Sequence, residues 1–180
     1  GIKYILNGGN ISTECVRNPL KYLYYGTDMK QIKYIRKTFG AKVMPTYPFS
    51  SVLRHKIWLR YFKGMKVVRI LDYIPYDKKK SLDILRETYD WVPYPQKHFE
   101  SRFTRYYEGY WLPNRFNFDT RRVQFSSLIL TGQMTRSEAL DKLKEPALDK
   151  ETVKEESNFV AQKLRISLKE LNSYREMPLK

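Results

Sequence analysis

Ile2-Lys3-Tyr4-Ile5-Leu6-Asn7-Gly8-Gly9-Asn10-Ile11-Ser12-Thr13-Glu14 is the stretch on which the reading of the whole chain turns. An apolar run from Ile2 to Leu6 meets the turn Asn7-Gly8-Gly9-Asn10. Behind it, Ser12, Thr13 and Glu14 carry helix-start chemistry, because short polar side chains satisfy the free N–H groups of a first turn. The expected order is strand, glycine-rich turn, helix. A strand this apolar belongs within a sheet, so either a partner or further chain is expected to supply its neighbours. A second strand is predicted over Met65–Leu71, where Val67 and Val68 bring β-branching. The class is therefore α/β, with residues 1–75 holding the sheet and 76–180 a predominantly helical region.

Working outward, Ile32, Ile35 and Phe39 recur at helical spacing and Gly40 supplies a stop. Ser50 and Ser51 can cap a helix in which Leu53, Ile57, Trp58 and Tyr61 share a face, ending near Gly64. The later half predicts helices near Lys78–Tyr89, Gln96–Trp111 and Thr120–Leu130. Capping boxes at Thr135-Arg136-Ser137-Glu138 and Ser167-Leu168-Lys169-Glu170 open two more, and Val153, Phe159, Val160 and Leu164 mark another between them. The tail from Met177 is expected to fray.

Of 180 residues, 34 are Lys or Arg and 19 Asp or Glu, a net charge of +15, which points to anionic partners. With 42% hydrophobic residues there is apolar material for a core, which excludes a disordered chain. The single cysteine, Cys15, cannot close an internal disulfide, and His55 and His98 are too few and too far apart for a zinc finger, so no metal site is expected. Apolar runs such as 127–131 fall far short of the ~20 residues that span a bilayer. A cytoplasmic location is expected, without membrane contact.

The most informative segment is Lys97-His98-Phe99-Glu100-Ser101-Arg102-Phe103-Thr104-Arg105-Tyr106-Tyr107. On a helix, Phe99, Phe103, Tyr106 and Tyr110 share the core face, and His98, Arg102 and Arg105 gather on its shoulder within roughly 60°. Arginines beside an aromatic face are partly desolvated and need a planar, bidentate partner such as carboxylate or phosphate. His98, read in the first helical turn, would add to an anion site. The alternative is that the arginines pair with Glu100, Glu108 or acids of another helix and fix packing.

The turn Asn7-Gly8-Gly9-Asn10 could bring backbone N–H groups to a phosphate, or be an ordinary tight turn; it is neither the dinucleotide fingerprint nor the P-loop. Glu14 and Cys15 would form the lip of such a site, with Cys15 read as a packing residue. Arg54, Lys56, Arg60, Lys63, Lys66 and Arg69, interleaved with Trp58, Tyr61 and Phe62, and likewise Arg115, Arg121 and Arg122, have the composition of a nucleic-acid face but equally that of solvated helices. Lys78-Lys79-Lys80 read as a solvent-facing helix start.

Asn7 to Cys15, Leu59-Arg60-Tyr61-Phe62-Lys63-Gly64, Lys97 to Arg105, Asp119-Thr120-Arg121-Arg122 and Ser126 to Gln133 together resemble the N-acetyl sugar amidotransferases of the WbpG type, enzymes of lipopolysaccharide and surface-sugar biosynthesis. The resemblance implies a parallel sheet of the adenine-nucleotide alpha-hydrolase class. It also implies a reaction in which ATP, with Mg2+, activates the acetamido oxygen of a nucleotide-linked N-acetyl sugar as an adenylate. Ammonia from a glutaminase subunit, delivered by a cyclase-like channel subunit, then displaces AMP to leave an acetamidino group.

The pyrophosphate loop of that class, Ser-Gly-Gly-x-Asp-Ser, is absent from these residues, so the chain resembles a C-terminal portion and is expected to be inactive alone. The resemblance makes Asn7, Gly8, Gly9 and Asn10 the turn facing the adenylate, since ligands of open α/β sheets sit beyond the carboxyl ends of the strands. Lys97, His98, Arg102 and Arg105 are the expected contacts for sugar-nucleotide phosphates or the adenylate charge, with Arg121 and Arg122 beside them. Where glycine is expected after helices or in turns, the chain has Asp90, Asn117 and Arg165. Two rivals stay open: a tRNA-binding module of a related enzyme, and a non-catalytic docking domain for the glutaminase pair.

Overall fold

The computed structural model describes residues 1–19, 28–40 and 49–178. The last two residues of the expected frayed tail lie outside that range. At its described end the tail is tied rather than free, because Arg115 donates to the carbonyl oxygens of Arg175 and Met177. The chain divides into two units, Gly1–Gly9 with Pro19–Ile74, and Asn10–Asn18 with Pro75–Lys180.

The first unit contains β1 (Tyr4–Asn7) and β2 (Lys66–Arg69), paired in parallel with Tyr4 opposite Lys66 and Asn7 opposite Arg69. Both expected strands exist, and they pair in parallel as a small two-stranded sheet. Helix α2 (Met29–Thr38) starts at Asp28, whose carboxylate accepts the N–H groups of Lys30 and Gln31, and Gly40 follows at φ 63°. Residues Arg54–Phe62 form a π-helix; Ser51 Oγ accepts from Arg54 N at 3.2 Å, and Gly64 at φ 63° turns the chain into β2. No residue of β1, α2 or the π-helix is buried.

In the second unit α1 (Ile11–Glu14) begins at Asn10, whose side chain accepts from Thr13 N. Thr131, capping the end of α6 (Arg121–Leu130), reaches the Ser12 carbonyl, and Ser127 Oγ of that helix takes the Val16 N–H. Helix α3 (Lys78–Tyr89) starts at Asp77 and closes on Asp90 in the left-handed conformation, φ 50°.

The predicted helix over Gln96–Trp111 is shorter and irregular. It begins at Ser101, whose hydroxyl takes the Thr104 N–H, and runs as α4 (Arg102–Tyr106), a π-helical turn (Tyr107–Trp111) and α5 (Leu112–Phe116). His98 is therefore not in a first helical turn; it lies in the preceding turn at φ 70°. Phe99 and Tyr106 are buried as expected, but Phe103 is 53% exposed, because Phe99 precedes the helix and cannot set its phase.

Helix α7 (Arg136–Lys144) opens on the predicted capping box, with Thr135 and Glu138 bonded reciprocally. Helix α8 (Lys150–Leu164) is followed by α9 (Leu168–Glu176), where Ser167 takes the Glu170 N–H while the Glu170 carboxylate goes to the Tyr174 hydroxyl. The core gathers Tyr106, Val160, Ala161 and Leu171, with Tyr110, Trp111, Phe159 and Ile166 against them. Gly109 in the π-helical turn is required by close approach, since a Cβ there would meet Leu148 at 2.8 Å. Asp90, Asn117 and Arg165, standing where the resemblance expects glycine, all adopt positive φ. For a longer side chain such as arginine that conformation costs about 1 kcal/mol.

Candidate functional site

The turn before α4 places Lys97 and His98 on one wall of a cleft of about 350 Å3, opposite Glu14 and Arg17 from the α1 segment and Thr120 and Gln124 from the start of α6. Lys97 Nζ donates to Glu14 Oε1 at 3.0 Å. His98 Nδ1 lies 3.2 Å from Glu108 Oε1, and Thr120 Oγ1 donates to the other oxygen of that carboxylate at 3.4 Å. Glu108 sits in the π-helical turn, a wide turn that often marks functional sites. It holds one nitrogen of an imidazole whose backbone is itself in an uncommon conformation. The second ring nitrogen bonds to no described residue.

A second hollow of about 310 Å3 shares Lys97 and Gln124 with the first. Lys78, Arg121 and Lys142 also line it, over a floor that includes Phe125, Leu128 and Met134. Of the three lysines read as solvent-facing at the α3 start, Lys79 and Lys80 are exposed and Lys78 is not: burial, and then the neighbouring Lys97 charge, hold its ammonium below the ordinary lysine pKa. Arg121 is buried. Its guanidinium is taken by Asp119 and by the carbonyls of Lys142 and Glu145, so it ties down the end of α7. Arg122 is exposed on α6.

Arg102 and Arg105 lie apart from both clefts in what they bind. They converge on Glu156 of α8, which is 1% exposed: Arg102 Nε donates at 2.9 Å, Arg105 Nη2 donates to the other oxygen, and the Arg102 guanidinium stacks 4.0 Å from the Phe159 ring. Of the alternatives weighed for these arginines, this is pairing with an acid of another helix. The structure thus joins Lys97 and His98 in one cleft and directs Arg102 and Arg105 to a packing contact.

Asn7, Gly8 and Gly9 belong to the first unit, where Asn7 Oδ1 takes the Gly9 N–H at 2.6 Å; Asn10 caps α1 in the second. Cys15 Sγ is 3.9 Å from the Ser127 carbonyl. Among the nucleic-acid-like cations, Arg60 stacks on Tyr61 and Lys63 on Trp58.

The sequence reading missed Glu108 as the His98 partner, and with it Lys78, Lys142 and Glu156. A signal for Glu156 was present: it stands on the Val153, Val160, Leu164 stripe of α8, where a carboxylate demands a cation. Nothing in the sequence spacing reveals the Lys78 to Lys142 juxtaposition.

Among the described residues no three His, Cys, Asp or Glu side chains group as metal ligands, and no helix is long and apolar enough to cross a membrane. What the second unit defines is a helical domain with two adjoining hollows, one lined by both cations and carboxylates and one whose charged residues are cations alone. Residues 100–180 match the family described as LPS biosynthesis protein WbpG-like, C-terminal domain. No curated protein and no solved structure matches the chain.

Proposed function

We propose that the chain is part of an ATP-dependent amidotransferase that converts the acetamido group of a nucleotide-linked N-acetyl sugar to an acetamidino group, with ammonia from a glutaminase and a cyclase-like channel subunit. The observation that carries this reading is the WbpG-like domain over residues 100–180. The cleft holding Lys97 and His98, just ahead of the matched residues, with Glu108 and Thr120 inside them, supports it.

ATP activation is not assigned to these residues. The Ser-Gly-Gly-x-Asp-Ser loop is absent from these residues, and at Gly8 a Cβ would meet nothing within 4 Å. The share of the work left to this chain is to hold the sugar nucleotide and manage protons. His98, oriented by Glu108, is suited to take the proton that ammonia gives up on bonding to the activated carbon, a role worth about 10²-fold or more in rate.

The test is to incubate the natural polypeptide containing these residues with ATP, Mg2+, ammonium and nucleotide-linked N-acetyl sugars. AMP release and replacement of the amide oxygen by nitrogen, read by mass spectrometry, are expected. AMP release and product formation should both fall in His98→Gln. Absence of any ammonia-dependent product would overturn the reading.

A further inference from the structure

We propose that the hollow lined by Lys78, Lys97 and Lys142 binds the phosphate oxygens of a phosphorylated small molecule. Four cations and no carboxylate line it. Arg121 is spent on Asp119 and two carbonyls, and Lys97 is shared with Glu14. Lys78 forms no ion pair with any described residue, and Lys142, exposed on α7, makes none within 4 Å, although its charge is felt by Glu138 one turn earlier.

Two ammonium groups, Lys78 and Lys97, are thus held near each other with one of them partly out of water. That costs free energy which an oxyanion between them returns. Gln96 adds a buried side-chain nitrogen without a partner in the same wall. Behind the cations the floor is apolar, suited to a sugar acetamido methyl or a base rather than to bare inorganic ions. A volume of about 310 Å3 admits a phosphate with part of what it is attached to. Resting on the reading above, the molecule is the nucleotide sugar, held by its diphosphate; ATP is the other source of the same chemistry.

The full chain is titrated by calorimetry at low salt with pyrophosphate, uridine diphosphate N-acetylglucosamine and ATP in separate arms. Binding of the sugar nucleotide and of pyrophosphate is expected, weakened about tenfold or more in Lys78→Met/Lys142→Met, since a charge-assisted hydrogen bond contributes about 1.5–3 kcal/mol. The exposed pair Lys154→Met/Lys169→Met, which removes equal charge elsewhere, should bind as the parent does. Equal weakening in both double variants, or none in the first, overturns the proposal.

If the first variant does not fold, amide shifts of the parent on adding pyrophosphate decide: changes centred on Lys78, Gln96 and Gln124 support the site, and changes elsewhere sink it. ATP binding in preference to the sugar nucleotide keeps the phosphate site and reassigns its occupant. Sugar-nucleotide binding without amidination removes the functional reading and leaves the site. Amidination by the natural polypeptide without pyrophosphate binding here does the reverse.

Discussion

The two units carry similar amphipathic patterns and use them differently. In the first, β1, α2 and the π-helix bury no residue, and Ile5, Ile35, Trp58 and Val67 all remain at least 40% exposed. In the second, Tyr106, Val160 and Leu171 close on one another and Glu156 is buried with its arginines. Periodicity therefore specifies that a helix exists and which face is apolar, but burial comes only when a second apolar face is present to meet it. Stability should follow the same division.

The largest effect is expected at Glu156. Replacing it with alanine leaves Arg102 and Arg105 facing a buried hole without their anion, and because both guanidinium groups can still reach water the loss falls at the low end, about 3 kcal/mol. Urea unfolding should show it, and a loss below 1 kcal/mol would mean the pair merely decorates the α4–α8 contact. Next, Val160→Ala removes two methyl groups from a core position 2% exposed and should cost about 2 kcal/mol, read from hydrogen exchange of α8 amides. The matched change in the first unit, Val67→Ala, should stay within about 0.5 kcal/mol; a cost like that of Val160 would break the comparison.

Between these lies Arg165→Gly, which relieves a left-handed backbone and should stabilise by about 1 kcal/mol in the same unfolding assay. The smallest effect is electrostatic. The N–H and hydroxyl of Thr135 hold the Glu138 carboxyl below its ordinary range, and those of Thr152 do so for Asp149. A folded-state pKa below the unfolded one gives stability that is present above the ordinary carboxylate range and is lost as pH falls through the folded value. The acid limb of a stability profile should accordingly flatten in Glu138→Gln/Asp149→Asn, and an unchanged limb would assign acid sensitivity to other carboxylates.

Helix ends were the most legible part of the fold, because caps are local chemistry. The Thr135–Glu138 box and the stops at Gly40 and Gly64 lie where side-chain type alone places them, and α3 spans the predicted Lys78–Tyr89. The His98 region was misread because aromatic spacing continues smoothly across the Ser101 cap, so the residues before it were counted as helix. Lys97 and His98 do share a cleft, but their neighbours in it come from α1 and α6, about 80 positions upstream and some 20 downstream, and no local period encodes that meeting. Arg102 and Arg105 were read with the right chemistry, a bidentate oxygen partner; which oxygen depended on where α8 packs.

The wide turn at Tyr107–Trp111 amounts to one residue accommodated within an otherwise α-helical stretch. Deleting a single position there would close the wide turn to an ordinary α-helical one, leaving the flanking helical faces in place while removing the local backbone shape that presents Glu108 to its imidazole. Homologous chains that align with a one-residue gap at this place would share the scaffold while losing the His98–Glu108 contact, and counting that gap is a way to sort them by chemistry before any assay is run.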